Sequence, residues 1–128
     1  MAGTSGDCGC GCGTAPRLIF ACSGAADVGH LSDLAARKLS AEGAGKMFCL
    51  AGIGGRVSGI MATTEAAAAV LAIDGCPLDC VKNTLRHAGF ETFEHLRLSD
   101  LGMEKCKSPV TEQRVDQVAA RGRELLAR

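Results

Sequence analysis

Eight cysteines in 128 residues are the side chains of this sequence best suited to chemistry, and their spacing sorts them. Cys76 and Cys80 lie four apart in "IDGCPLDC", where an apolar run gives way to a helical pattern. Cys8, Cys10 and Cys12 form a C-x-C-x-C run near the start, while Cys22, Cys49 and Cys106 stand singly. Thiolates are soft ligands. Four of them around Zn²⁺ at about 2.3 Å make a tetrahedral structural site, and four also hold an Fe–S cluster. A pair such as Cys76 and Cys80 could instead carry redox or transfer chemistry, although its spacing is longer than the C-x-x-C of thioredoxin-like sites.

Composition narrows the partners. Fourteen basic and fourteen acidic residues cancel, so no net positive field draws nucleic acid or an anionic membrane. Aromatics are 3% of the chain, with neither Trp nor Tyr, which leaves no stacking platform for single strands. The opening "MAGTSGDCGCGCGTAPR" lacks the apolar stretch of a signal peptide, and no run of about 18 apolar residues follows. A cytoplasmic protein is expected. In that compartment thiols stay reduced, so a cysteine cluster points to a metal ion or redox chemistry rather than disulfides.

The elements that must position the thiols alternate. Residues 1–16 read as a flexible Cys/Gly-rich tail, and 17–128 as one α/β domain. "RLIFAC" is a buried strand, and Val28, Leu31, Leu34, Ala35 and Leu39 then share a helical face that stops near Gly43. "KMFCLA" reads as strand two, followed by "GIGG" and the weakly amphipathic "RVSGIMATTEA". "AAVLAID" is strand three; its helix carries Val81, Leu85 and Ala88 and closes on Gly89. "FEHLRLSD" is a more exposed strand four. A last helix is expected to open with Ser108 as N-cap and Pro109 in the first turn, with Val115, Val118, Gly122 and Leu125 on one face. Continuous apolar strands fit a sheet covered on both faces. The expected fold is a small doubly wound (Rossmann/flavodoxin-like) domain with a mostly parallel four-stranded sheet of order 2-1-3-4.

In such a sheet the strands' carboxyl ends share one edge, about 4.8 Å apart, and ligands bind there. Cys22 ends strand one, Cys49 falls in the last part of strand two, Cys76 sits just past strand three and Cys80 in the first turn of the next helix. These four thiols are the expected metal ligands. Helix N-termini beside them are expected to offset their charge and lower their pKa values. Each cysteine read alone fits core packing equally well, Cys49 above all. Cys106, between Lys105 and Lys107, is either a fifth thiol at the edge or an exposed loop residue. The tail thiols Cys8, Cys10 and Cys12 could chelate soft metals without a fold. His30 is within reach of the edge, whereas His87 and His95 read as surface residues. "GIGG" reads as a tight turn beside the site more readily than as an anion cradle. Asp74 offers a base, but reads better as a strand-end cap of backbone N–H groups.

Four segments together, "FACSGAADVGHLSDLAA", "GKMFCLAGIGGRVSGI", "IDGCPLDCVKNTL" and "SDLGMEK", resemble the DGC-domain family of zinc-binding proteins, named for the triplet that is Asp74, Gly75 and Cys76 here. The resemblance runs from about residue 17 to 120. It implies a zinc site of four cysteines, mapping onto Cys22, Cys49, Cys76 and Cys80, and supplies no reaction. The Cys-rich tail and Asp27, where the family leads one to expect Asn, depart from its pattern. The expected function is therefore a zinc-binding protein with a role in metal handling or regulation. The alternatives are a thiol enzyme using Cys22 or the Cys76/Cys80 pair, and an Fe–S protein. A Cys–loop–helix at the first strand end also resembles phosphatases and arsenate reductases that bind an oxyanion with an Arg six residues later; Val28 at that position disfavours phosphate chemistry.

Overall fold

A computed structural model describes residues 15–128. Cys8, Cys10 and Cys12 lie outside the described residues. Pro16, placed with the tail from sequence, accepts the Ala68 amide at 2.8 Å.

Among the described residues, four strands and five α-helices run in order: β1 (Arg17–Ala21), α1 (Asp27–Ala41), β2 (Lys46–Met47), α2 (Leu50–Gly54), α3 (Ser58–Glu65), β3 (Ala69–Asp74), α4 (Cys80–His87), β4 (Glu94–Arg97) and α5 (Glu112–Leu126). A 3-10 turn, Leu98–Leu101, extends β4. The sheet order is β2-β1-β3-β4 and every pairing is parallel. This is the expected order and class. The register aligns Ala21 with Ile73 and Asp74 with Arg97, which brings the ends of β1, β3 and β4 level at one edge.

The apolar runs divide by parity, as the period-2 pleat requires. Ile19, Ala21, Leu71 and Ile73 face α1 and α5, meeting Leu31, Leu39, Val118 and Leu125 in one core layer. Leu18, Phe20, Val70 and Ala72 face the other way, against Ile53, Val81 and Leu85. Burying both faces explains why the strands read as unbroken hydrophobic runs. Gly43 and Gly89, at φ +81° and +97°, take the left-handed conformation that ends α1 and α4. Among the described residues no helix is long and apolar enough to cross a membrane.

Three local expectations need correction. β2 ends at Met47, so Cys49 is not a strand residue; it caps the N-terminus of α2 in extended conformation and is exposed. "GIGG" is not a turn either, because Gly52–Gly54 lie within α2 and Gly55 caps it. A Cβ on Gly52 would stand 2.1 Å from Ile60 Cδ1, so the glycine lets α2 pack against α3. Finally, α5 begins at Glu112, with the Thr111 hydroxyl accepting the Arg114 amide, rather than at Ser108–Pro109.

Candidate functional site: the thiol-bearing edge and its polar clasp

β1 and β3 are adjacent strands whose helices leave on opposite faces, and this is where doubly wound sheets open a crevice. Cys22 follows β1 directly, its amide still donating to Ile73 O at 3.1 Å, and its half-buried side chain packs toward the α2/α4 layer. Cys76 follows β3, half-buried against the α1/α5 layer. Cys80 is the first residue of α4 and is exposed. These three thiols are close enough for the charges of Cys22 and Cys76 to act on Cys80. Cys49 stands at the same edge, beyond β2. Cys106 is exposed at φ 71° in the loop after the 3-10 turn, and His30 is exposed on α1.

The segment joining β3 to α4 is held from both sides. A Cβ on Gly75 would lie 2.8 Å from the carbonyl carbon and oxygen of Val28, so only glycine lets this turn meet the backbone of α1. The carboxylate before it, Asp74, is 1% exposed. Its Oδ1 accepts the Val81 amide at 2.7 Å and its Oδ2 the Lys82 amide at 3.1 Å. Asp74 thus caps α4 from the preceding strand, and the cap reading of this residue holds. His95 Nε2 completes the set, 2.8 Å from Asp74 Oδ2. His95 reads as a surface residue in the sequence, but the fold ties it to the end of β3.

Asp79 forms the second half of the clasp. It precedes α4 in the left-handed region, φ 55° and ψ 47°, and its amide donates to Cys76 O at 3.2 Å across a tight turn. Arg97, at the end of β4, grips its carboxylate with two hydrogen bonds: Nε to Oδ1 at 2.8 Å and Nη2 to Oδ2 at 2.7 Å. This bidentate contact holds the Asp79 carboxyl below its ordinary range, against the opposing effect of burial. Neither Asp79 nor Arg97 stood out in the sequence.

Among the described residues, Asp74, Asp79 and His95 are the group whose ligand atoms converge within 4.8 Å of one another. Each of them is already committed. Asp74 serves two amides and His95, and Asp79 is neutralised by Arg97, so the group acts as a hydrogen-bonded frame rather than an open cation site. Among the described residues no three thiols meet that distance, so the sulfurs share an edge without forming a closed tetrahedron. Thiolates at this edge are the donor type that zinc takes.

The electrostatics differ from expectation at Cys80. Although the residue is exposed, neighbouring atoms partly desolvate its thiol and push it up, followed by the negative charges of Asp74, Cys22, Cys76 and Asp79. The helix N-terminus expected to lower it is spent: Asp74 occupies the Val81 and Lys82 amides and adds a charge of its own. Three thiols and two carboxylates crowd one end of the sheet. Arg97 and Lys82 already stand against Asp79, which leaves Asp74 and the thiols as the groups that a bound cation would face. At the opposite edge, a cleft lined by Ala67, Ala68, Gly89, Phe90 and Glu94 contains none of the cysteines.

Comparison with known proteins identifies the family of the chain. The DGC domain matches residues 18–121, a span that takes in Cys22, Cys49, Cys76, Cys80 and the whole clasp. The chain is also similar to the anaerobic and virulence modulator AnvM of Pseudomonas aeruginosa, 40% identical over 89 residues that cover 69% of this chain and 67% of AnvM. No solved structure matches the chain.

Proposed function

This chain belongs to the DGC-domain family, and on that premise we propose that it is a thiolate zinc-binding protein with a regulatory role. Cys22, Cys76 and Cys80 hold the metal at the crevice between β1 and β3, and Cys49 completes the set from the start of α2. The observation that carries this reading is the gathering of three thiols at two adjoining strand ends and one helix start, close enough for Cys22 and Cys76 to act on Cys80. The charge crowding that raises the Cys80 thiol favours a bound divalent cation over a free nucleophilic thiolate. A thiol enzyme using Cys80 is correspondingly disfavoured. The regulatory part of the reading rests on AnvM, which is described as a modulator.

Elemental analysis of purified, untagged protein tests the metal. One equivalent of zinc in a colourless protein is expected, whereas absorbance near about 400 nm with iron would mean an Fe–S cluster. Cys22→Ser, Cys49→Ser, Cys76→Ser and Cys80→Ser should each lower zinc content and melting temperature together, since metal binding and folding are coupled. Full zinc occupancy in Cys80→Ser, with loss in Cys106→Ser, would replace Cys80 by Cys106 as a ligand.

A further inference from the structure

We propose that Arg97 is the positioning residue of the Cys76–Cys80 loop: by gripping Asp79 it holds the left-handed turn that sets the two thiols in their relative orientation. The inference deepens the metal-binding reading and, for its affinity arm, rests on it.

Three observations converge. Asp79 carries a side chain in a backbone region that favours glycine, so its conformation needs an external hold. Arg97 provides it through a two-pronged guanidinium–carboxylate contact at 2.8 and 2.7 Å, made from a different strand. What it holds is the single residue between Leu78 and Cys80, whose amide closes the turn onto Cys76 O and whose carbonyl accepts the Asn83 amide inside α4. Arg97 therefore reaches both thiols through one residue. It touches neither sulfur. The register places Arg97 opposite Asp74, so the clasp is fixed to the sheet itself rather than to a loop. Lysine could supply the charge but not the planar fork.

The test compares the full chain with Arg97→Gln, Arg97→Lys and the double variant Arg97→Gln/Asp79→Gly. Zinc affinity is read by competition with a chromophoric chelator, and backbone order by amide hydrogen exchange across the whole protein. Arg97→Gln should weaken zinc binding by about tenfold or more, in the range typical of residues that orient metal ligands. Exchange should rise over residues 76–83 and stay unchanged in β1 and α5. A merely structural role would instead raise exchange throughout. Adding Asp79→Gly should restore affinity, because glycine takes the left-handed conformation without a clamp. Arg97→Lys should fall between the parent and Arg97→Gln, and it replaces Arg97→Gln if that variant does not fold. Unchanged affinity and unchanged exchange in Arg97→Gln would overturn the proposal. If the parent captures no zinc, the metal reading fails on its own. The exchange arm then decides the positioning role, upheld by a rise confined to 76–83 and overturned by its absence.

Discussion

At the residue scale, Asp74 concentrates the most consequence in one side chain. It is 1% exposed, caps α4 through two amides and anchors His95. Asp74→Ala would leave two helix amides and an imidazole nitrogen unpaired at a buried position. Hydrogen bonds to a charged acceptor and the loss of a helix cap together put the cost at about 2–4 kcal/mol, a fall in melting temperature of roughly 10 °C. Asp74→Asn keeps one acceptor oxygen and should lose less. Thermal unfolding of the two variants checks the order, and equal losses would mean that the single oxygen kept in Asn contributes nothing without the full carboxylate. The triplet that gives the family its name thus divides its labour here. Asp74 caps, Gly75 allows the approach to Val28, and Cys76 presents the thiol.

At the scale of elements, Asp27 joins the start of α1 to the loop between the 3-10 turn and α5. Its Oδ1 accepts the Val28 amide at 2.8 Å and the Cys106 amide at 2.9 Å, and its Oδ2 the Ser108 amide at 2.9 Å. Amides from Cys106 and Ser108 are the main reason its carboxyl is held below 3.8. A depressed folded-state pKa means the carboxylate contributes its stability fully above 3.8 and loses it as pH falls from there through the lower folded value. Acid should therefore loosen the loop around Cys106 in that window, and Asp27→Asn should flatten this part of the pH–stability profile. Its amide nitrogen cannot accept from Ser108, so Asp27→Asn should also be less stable at neutral pH. Denaturant unfolding from about pH 2 to about pH 7 measures both effects. The same loop explains a boundary that sequence misplaces. Ser108–Pro109 has the composition of a helix start, but the Ser108 amide serves Asp27 and its hydroxyl accepts the Glu104 amide, so α5 waits for Thr111. Strands β1 and β3 were legible because sheets covered on both faces leave continuous apolar runs. "KMFCLA" misled for a related reason. Phe48 and Leu50 are apolar because they pack on the α2/α4 layer, at and just past the last backbone bond to β1, Phe48 N to Ile19 O at 2.8 Å. The Arg97–Asp79 grip and the His95–Asp74 contact join residues 18 and 21 apart in sequence, and no local pattern records them.

For the whole molecule, the thiols stand at a seam between two cores. Cys22 packs with the layer formed by α2 and α4, and Cys76 with the layer formed by α1 and α5, while the sheet separates the two. A metal shared by both thiols would fasten the layers at the carboxyl edge, where Cys22 and the end of β3 are linked by one amide, Cys22 N to Ile73 O at 3.1 Å. Such a metal stabilises the fold by mass action, because it binds the native state far more tightly than the unfolded chain. The stabilisation belongs to the assembled site and not to either thiol. Removing one ligand forfeits most of it, and removing the second then has little left to forfeit. Cys22→Ser and Cys76→Ser should accordingly be strongly non-additive in zinc-containing buffer, the double variant losing much less than the sum of the singles. In excess chelator the metal term vanishes, and the two substitutions, on opposite faces of the sheet, should become additive within about 0.5 kcal/mol. A double-mutant cycle by denaturant unfolding, run with zinc and with chelator, measures the difference. Additive losses in both buffers would mean that Cys22 and Cys76 share no metal, and that each is simply a half-buried residue of its own core layer.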